Sequence, residues 1–294
     1  MQMKLKIKQN VLMEHLNYVI KGISSKNLIP ILNCIKFELT ENGLYLMSTD
    51  NEIAIKTFID RKDIEEVEKL GDIVISGRYM YDIVRKLPGE IIHIEEVVDN
   101  KLSISTNHSN FHLNCNNVNE FPNLDLEEHK NPIIMKQRVF KNIINQTSFA
   151  TSNQESRPVL TGINFKITGN LLECTATDSY RLAKSVIHIN SELPEDVNII
   201  IPTKNLIELT RLFNDDDENL EMHIFNNKVI FKFGTIIMMS KLINGTYPDT
   251  SKLIPTEFAL SMRVSLNMFY DSIDRASLLT NESDKNTIRL ESHQ

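Results

Sequence analysis

Two aspartates are the first residues that could do chemistry. Asp50 and Asp178 each follow a threonine, Thr49 and Thr177. A pair of carboxylates can divide acid and base work or hold a metal ion. Here they stand 128 residues apart at equivalent places of an internal repeat, so each belongs to its own unit and the two are held far from each other. A Thr-Asp pair at the end of a strand also reads as a turn in which the aspartate bonds its own backbone. The sequence has no GxSxG, no Walker loop and no HExxH. The expectation is that no residue is catalytic, and that neither metal nor cofactor is bound.

Phosphate binding is the other chemistry on offer. Lys21, Lys26, Arg78, Arg85, Lys86, Lys136, Arg138, Lys141, Arg157, Lys204 and Arg211 lie on or beside four predicted helices, among Asn17, Asn142, Asn145 and Gln154. Scattered cations among amides suit weak contact with phosphates and no reading of bases. The net charge of −7 argues against a surface that grips nucleic acid everywhere. It leaves room for a basic face beneath an acidic outer shell.

The elements that must position these residues come as a duplication. Pro30–Asp50 (PILNCIKFELTENGLYLMSTD) and Pro158–Asp178 (PVLTGINFKITGNLLECTATD) align without a gap, with nine of 21 positions identical. Upstream, Val11–Ile20 and Val139–Ser148 read as amphipathic helices at the same offset. In the second, Val139, Phe140, Ile143 and Ile144 form one stripe, opposite Arg138, Lys141, Asn142 and Asn145. Downstream, Ile75–Leu87 and Ile201–Phe213 each pass from a β-rich run into a helix, and alternating stretches such as Lys101–Thr106, Phe111–Cys115 and Val229–Phe233 read as strands. Each unit therefore runs helix, strands, helix, strands, an α+β fold with helices on one side of mostly antiparallel sheets. The expected domains are 1–128 and 129–250. Residues 251–294 begin a third unit, with Val264–Ser277 as its opening helix and Asn286–Glu291 as a first strand, and the unit stops there.

Composition is that of an ordinary globular chain, 41% hydrophobic and 24% charged. No apolar run approaches the roughly 18 residues of a membrane helix. The start, MQMKLKIKQN, alternates like a strand and lacks the apolar core of a signal peptide, so a cytoplasmic protein is expected. Cys34, Cys115 and Cys174 are odd in number and widely spaced, which predicts reduced core thiols. The acidic run Asn214–Glu218 lacks the alternating ligands and glycine of a calcium loop and reads as a solvated loop.

Several motifs, in order, resemble the bacterial sliding clamp, the beta subunit of DNA polymerase III. They are Ile29–Asn33 (IPILN), Ala176–Ala183 (ATDSYRLA), Ser240–Asp249 (SKLINGTYPD) and Ala276–Glu282 (ASLLTNE). The resemblance implies three clamp domains per chain, a head-to-tail homodimer, and a ring around duplex DNA that acts as a processivity factor and catalyses nothing. It implies sequence-independent DNA binding through an inner helical face, with Lys26, Gln154, Arg157 and Lys204 at DNA-facing positions beside Arg78, Arg85, Lys141 and Arg211. It implies a pocket for linear peptide motifs of the polymerase catalytic subunit, the clamp loader and repair proteins, at Leu160, Thr177, Ser179, Tyr180, Arg181, Leu182, Pro248, Lys252 and Leu253. The apolar members would receive a Leu or Phe anchor, and Arg181 would hydrogen-bond the peptide backbone. Ser179, Tyr180 and Lys252 stand where Gly, His and Arg are commoner. An incomplete third domain predicts no ordinary ring closure and an unpaired edge in the first domain. A peptide-binding adaptor that does not encircle DNA is the alternative reading.

Overall fold

The computed structural model describes residues 2–24, 28–97, 100–128, 131–190, 195–213, 217–279 and 287–291. Two bodies separate by their contacts, residues 1–247 and 248–294. The first body holds both copies of the repeat.

Copy one runs β1 (Lys4–Lys8), α1 (Gln9–Val19), β2 (Cys34–Thr40), β3 (Gly43–Thr49), β4 (Ile53–Asp60), β5 (Glu66–Lys69), β6 (Gly71–Ser76), α2 (Gly77–Lys86), β7 (Ile91–Val97), β8 (Lys101–Ser105) and β9 (Asn110–Asn116). Copy two runs β10 (Ile133–Lys136), α3 (Gln137–Thr147), β11 (Gly162–Thr168), β12 (Leu171–Thr177), β13 (Leu182–His188), β14 (Val197–Pro202), α4 (Thr203–Thr210), β15 (Asn219–Ile224), β16 (Lys228–Phe233) and β17 (Ile236–Lys241). In both, a proline-led single turn, Pro30–Asn33 or Pro158–Thr161, opens the repeated block. The fixed φ of proline suits the first position of such a turn. Among the strands and α-helices of the two copies in the described residues, only β5 has no counterpart.

All pairings are antiparallel, and the two copies share a sheet. Its order is β10-β15-β16-β17-β4-β3-β2-β6-β9-β8-β7-β1-β5, and a second sheet runs β13-β12-β11-β14. The junction is β17 on β4, in register from Ile236↔Thr57 to Ser240↔Ile53. Beneath it the His15 Nδ1 lies 2.7 Å from the Thr57 hydroxyl, which lies 3.4 Å from that of Thr235. Burial lowers the pKa of His15 against the pull of Glu14 and Asp63, which favours the neutral ring. Lys21 ties the end of α1 to the end of α4 by donating to the Arg211 carbonyl at 2.6 Å. Lys21 thus has a structural contact as well as a place among the cations of the helices.

The alternation of the strands buries one row of each. Ile35, Phe37 and Leu39 in β2 and Ile163, Phe165 and Ile167 in β11 enter one continuous core, at matching positions of the repeat. Helix α3 adds Phe140, Ile143 and Ile144 to that core and leaves Arg138, Lys141, Asn142 and Asn145 exposed, as its 3.6-residue pattern dictates. Strand β9 pairs with β8 from Asn110 to Asn114 and meets β6 at Val74↔Asn116 and Ile75↔Cys115. Cys34 and Cys174 are buried and Cys115 is half-buried. Burial raises all three thiols, Cys115 to about 11, which keeps them protonated and unreactive.

The second body contains α5 (Leu266–Ser277), where the opening helix of a third unit was expected. None of its side chains is buried. The expected strand at Asn286–Glu291 does not form: Asn286 lies outside the described residues, and 287–291 belong to no strand. A run this short becomes a strand only when it pairs with a neighbour, and 287–291 enter no ladder among the described residues. Of the acidic run, Asp217 and Glu218 are exposed and the rest lies outside the described residues.

Candidate nucleic-acid interface and partner groove

The helices pack in pairs, α1 with α2 and α3 with α4. Each pair turns its apolar stripe to the sheets, so the polar faces remain on the outside of the pairs. Arg78 and Arg85 on α2, Arg138 and Lys141 on α3, Lys204 on α4, and Arg211 just beyond it are all exposed. These cations fall into two groups. Arg85 pairs with Asp82 at 3.0 Å and Arg211 with Glu208, each one helical turn away, so their charge is partly answered at home. Arg78, Arg138, Lys141 and Lys204 have no ion-pair partner among the described residues. Lys26 lies outside the described residues.

The two aspartates answer the question their spacing raised. Asp50 Oδ1 accepts from the backbone N–H of Glu52 and Ile53, both at 2.9 Å. Asp178 Oδ1 accepts from the N–H of Tyr180 and Arg181, both at 3.0 Å. The preceding threonine does the same work in both copies. Thr49 donates to the Ile53 carbonyl and Thr177 to that of Arg181, each at 2.7 Å. The turn forces a positive φ on Asn51 (74°) and Ser179 (78°). Left-handed backbone is costly for residues with a Cβ, which explains why glycine suits the second of these positions. Both aspartates are therefore turn-makers in separate copies.

Around the second turn the structure gathers residues from two distant stretches. Thr151–Gln154, Ser156, Arg157, Leu160 and the turn Asp178–Arg181 line a groove of about 560 Å³. Arg157 reaches the Ser179 hydroxyl at 3.5 Å. Gln154 and Arg157, expected at the DNA face, therefore border the same groove as Leu160, Ser179, Tyr180 and Arg181, expected at the peptide pocket. Leu160 is buried with Ile200 and Tyr247, Tyr180 is 98% exposed, and Leu182 is half-buried. Thr177 is buried, and its N–H donates to the Tyr247 hydroxyl at 3.0 Å, which fixes the turn to the end of copy two. Pro248, Lys252 and Leu253 belong to the second body, where all three are exposed. Leu253 is thus not a core residue.

The geometry also singles out Phe149. It follows α3, is 56% exposed, and lies 5.8 Å from the Arg181 guanidinium. The sequence carried one signal for it: an aromatic residue beyond the end of the buried stripe, where copy one has Lys21.

A duplicated α+β unit, with a packed pair of helices in each copy and a sheet continuous across the copies, defines the class of DNA clamps. The profile of the DNA polymerase III beta subunit N-terminal domain matches residues 3–125, and that of its central domain matches residues 134–249. The beta sliding clamp of Staphylococcus epidermidis is 38% identical over 292 residues, 98% of this chain and 77% of the relative. The crystal structure of the DNA polymerase sliding clamp from Bacillus subtilis superposes with a TM-score of 0.92 at 36% identity, over 96% of this chain and 75% of that one. A sliding clamp from Bartonella birtlesii, solved bound to griselimycin, superposes with a TM-score of 0.87 at 27% identity, over 96% of this chain and 76% of that one. The chain belongs to the bacterial sliding clamp family, the beta subunit of DNA polymerase III. Its function is that of a DNA polymerase processivity factor, and this membership favours the clamp over the adaptor reading. No helix among the described residues is long and apolar enough to cross a membrane.

Proposed function

We propose that the exposed faces of the four helices contact the phosphates of duplex DNA without reading its bases, and that the groove beside Arg181 receives linear peptides. The DNA-facing residues are Lys26, Arg78, Arg85, Lys141, Gln154, Arg157, Lys204 and Arg211. The peptide residues are Leu160, Thr177, Ser179, Tyr180, Arg181, Leu182, Pro248, Lys252 and Leu253, with the polymerase catalytic subunit, the clamp loader and repair proteins as partners. Residues 1–128 and 129–250 are two clamp domains, and 251–294 opens a third. The chain acts as a non-catalytic subunit in the cytoplasm, in the head-to-tail manner of the family where a second copy is engaged. A pocket that takes peptides in this chain also takes griselimycin, which the Bartonella birtlesii clamp binds.

The observation that carries the reading is that Arg78, Arg138, Lys141 and Lys204 stand exposed on the helices without an acidic partner among the described residues, on a chain of net charge −7. Weak contacts that slide require few phosphates at a time. Each phosphate neutralised contributes about −0.9 to the slope of log affinity against log salt. Lys141→Glu and Lys204→Glu, measured on duplex DNA across a salt series, are each expected to reduce the magnitude of the slope by about 0.9, equally for any sequence. A slope unchanged by either substitution contradicts the assignment of this face.

A further inference from the structure

The duplication supplies an internal control for the partner groove. Both copies build the same threonine–aspartate turn, yet they differ three residues beyond the aspartate. Copy one has Ile53, buried under the sheet junction; copy two has Arg181, exposed in the groove. The position 128 residues before Phe149 is Lys21. An arginine and an aromatic ring therefore occur together in copy two, and neither occurs in copy one.

The surroundings of Arg181 are built to hold it. Its backbone is fixed at both ends, the N–H by Asp178 Oδ1 at 3.0 Å and the carbonyl by the Thr177 hydroxyl at 2.7 Å. Its Nε donates to Asp178 Oδ2 at 3.0 Å. Its guanidinium carbon lies 5.8 Å from the centroid of the Phe149 ring, within range of a cation–π contact. Burial pushes the Asp178 carboxyl up, but the N–H groups of Arg181 and Tyr180 and the Arg181 side chain outweigh it and leave it below its usual range. The carboxylate is thus charged when it meets Nε. Guanidinium offers five N–H donors in a fixed fork. One is used on Asp178, and the terminal nitrogens meet no acceptor among the described residues.

We infer that Asp178 and Phe149 are positioning residues for partner binding. Together they fix the plane of the Arg181 guanidinium so that its terminal nitrogens present a ready pair of donors to a backbone carbonyl of an extended peptide. A free arginine side chain loses much rotamer freedom on binding. One already held between a carboxylate and a ring loses less, and affinity rises by that difference. The inference rests on the groove being the peptide pocket.

The test measures anisotropy of a labelled extended peptide with Leu and Phe anchors, titrated with the full chain. Arg181→Ala is expected to weaken binding about tenfold or more, as loss of a charged hydrogen-bonding group does. Phe149→Ala is expected to weaken it about two- to fivefold, with Phe149→Trp restoring it and the thermal midpoint unmoved. Asp178→Asn keeps the Oδ1 acceptor of the turn, loses the charge, and is expected to weaken binding likewise. On the Arg181→Ala background, Phe149→Ala is expected to have no further effect. If Arg181→Ala weakens binding while Phe149→Ala and Asp178→Asn do not, the positioning role is overturned and the pocket stands. Equal effects of Phe149→Ala with and without Arg181 make Phe149 a direct contact and also overturn it. An unmodified chain that does not take the peptide, or an Arg181→Ala variant without effect, overturns the pocket itself and the inference with it.

Discussion

Replacing Phe140 by alanine is expected to cost about 3–5 kcal/mol of stability, with a fall in thermal midpoint on the order of 10 °C for a body of this size. Phe140 is fully buried in α3 and is the ring on which copy two closes. Phe165 from β11 stacks on it at 6.2 Å between centroids. Phe231 from β16 meets it edge-on at 5.5 Å, and Phe213 beyond α4 at 6.2 Å. These rings come from both sheets and from the segment after the second helix, so a cavity here loosens every layer at once. Edge and offset ring contacts add to the burial itself. The consequence reaches the interface, because Arg138 and Lys141 sit on the same two turns of α3. Asn142→Ala, on the exposed face of the helix, is the control and is expected to stay within about 0.5 kcal/mol. Urea unfolding of the full chain followed by circular dichroism checks both. A Phe140→Ala midpoint equal to that of Asn142→Ala contradicts this account of the core.

The second large effect is expected at Gly43. The hairpin between β2 and β3 is solved differently in the two copies. Copy one places Gly43 at φ 147°, where an added Cβ would lie 2.1 Å from the Ile59 carbonyl oxygen and 3.0 Å from the Arg61 nitrogen. Both are backbone atoms, and Arg61 N–H is already bonded to the Asn42 carbonyl at 2.9 Å, so the neighbours have nowhere to go. Copy two places Gly169 at φ 58°, in open space, and has Leu171 at the position of Gly43. Gly43→Ala combines a backbone region closed to alanine with overpacking and is expected to cost about 3 kcal/mol or more. Gly169→Ala carries only the left-handed penalty, about 1–2 kcal/mol. The displaced strand in the first case is β4, which carries β17 across the copies, so Gly43→Ala also weakens the junction. Denaturation midpoints that shift equally for the two variants contradict the difference between the hairpins.

Much of this architecture was legible because the chain states it twice. Two copies of one block, with Phe37 and Phe165 at matching places, fix strands and core without a partner sequence. The stripe Phe140, Ile143, Ile144 against Arg138, Lys141, Asn145 fixes which side of α3 is wet. The threonine–aspartate pair fixes a turn, because its side chains bond locally. What stayed hidden depends on contacts between distant stretches. That Arg157 touches Ser179 follows from how loop 151–157 folds onto the turn, which no periodicity encodes. Phe149 is hard to read from the sequence, because a single aromatic residue after a helix is a weak signal without periodicity, and its meaning appears only beside Arg181. The misplaced strand at Asn286–Glu291 has the opposite cause: alternation shows that a segment is able to be a strand, and pairing decides whether it becomes one.

A processivity factor keeps a polymerase on its template, and this chain is expected to do so. The most direct measurement is primer extension by the replicative polymerase on a long primed circular template, with clamp loader and ATP, under a trap that limits each polymerase to one binding event. Products are expected to lengthen well beyond those of polymerase alone, with the gain lost in the Lys141→Glu, Lys204→Glu double variant. Products of the same length with and without the chain, at concentrations where its fold is intact, would contradict it.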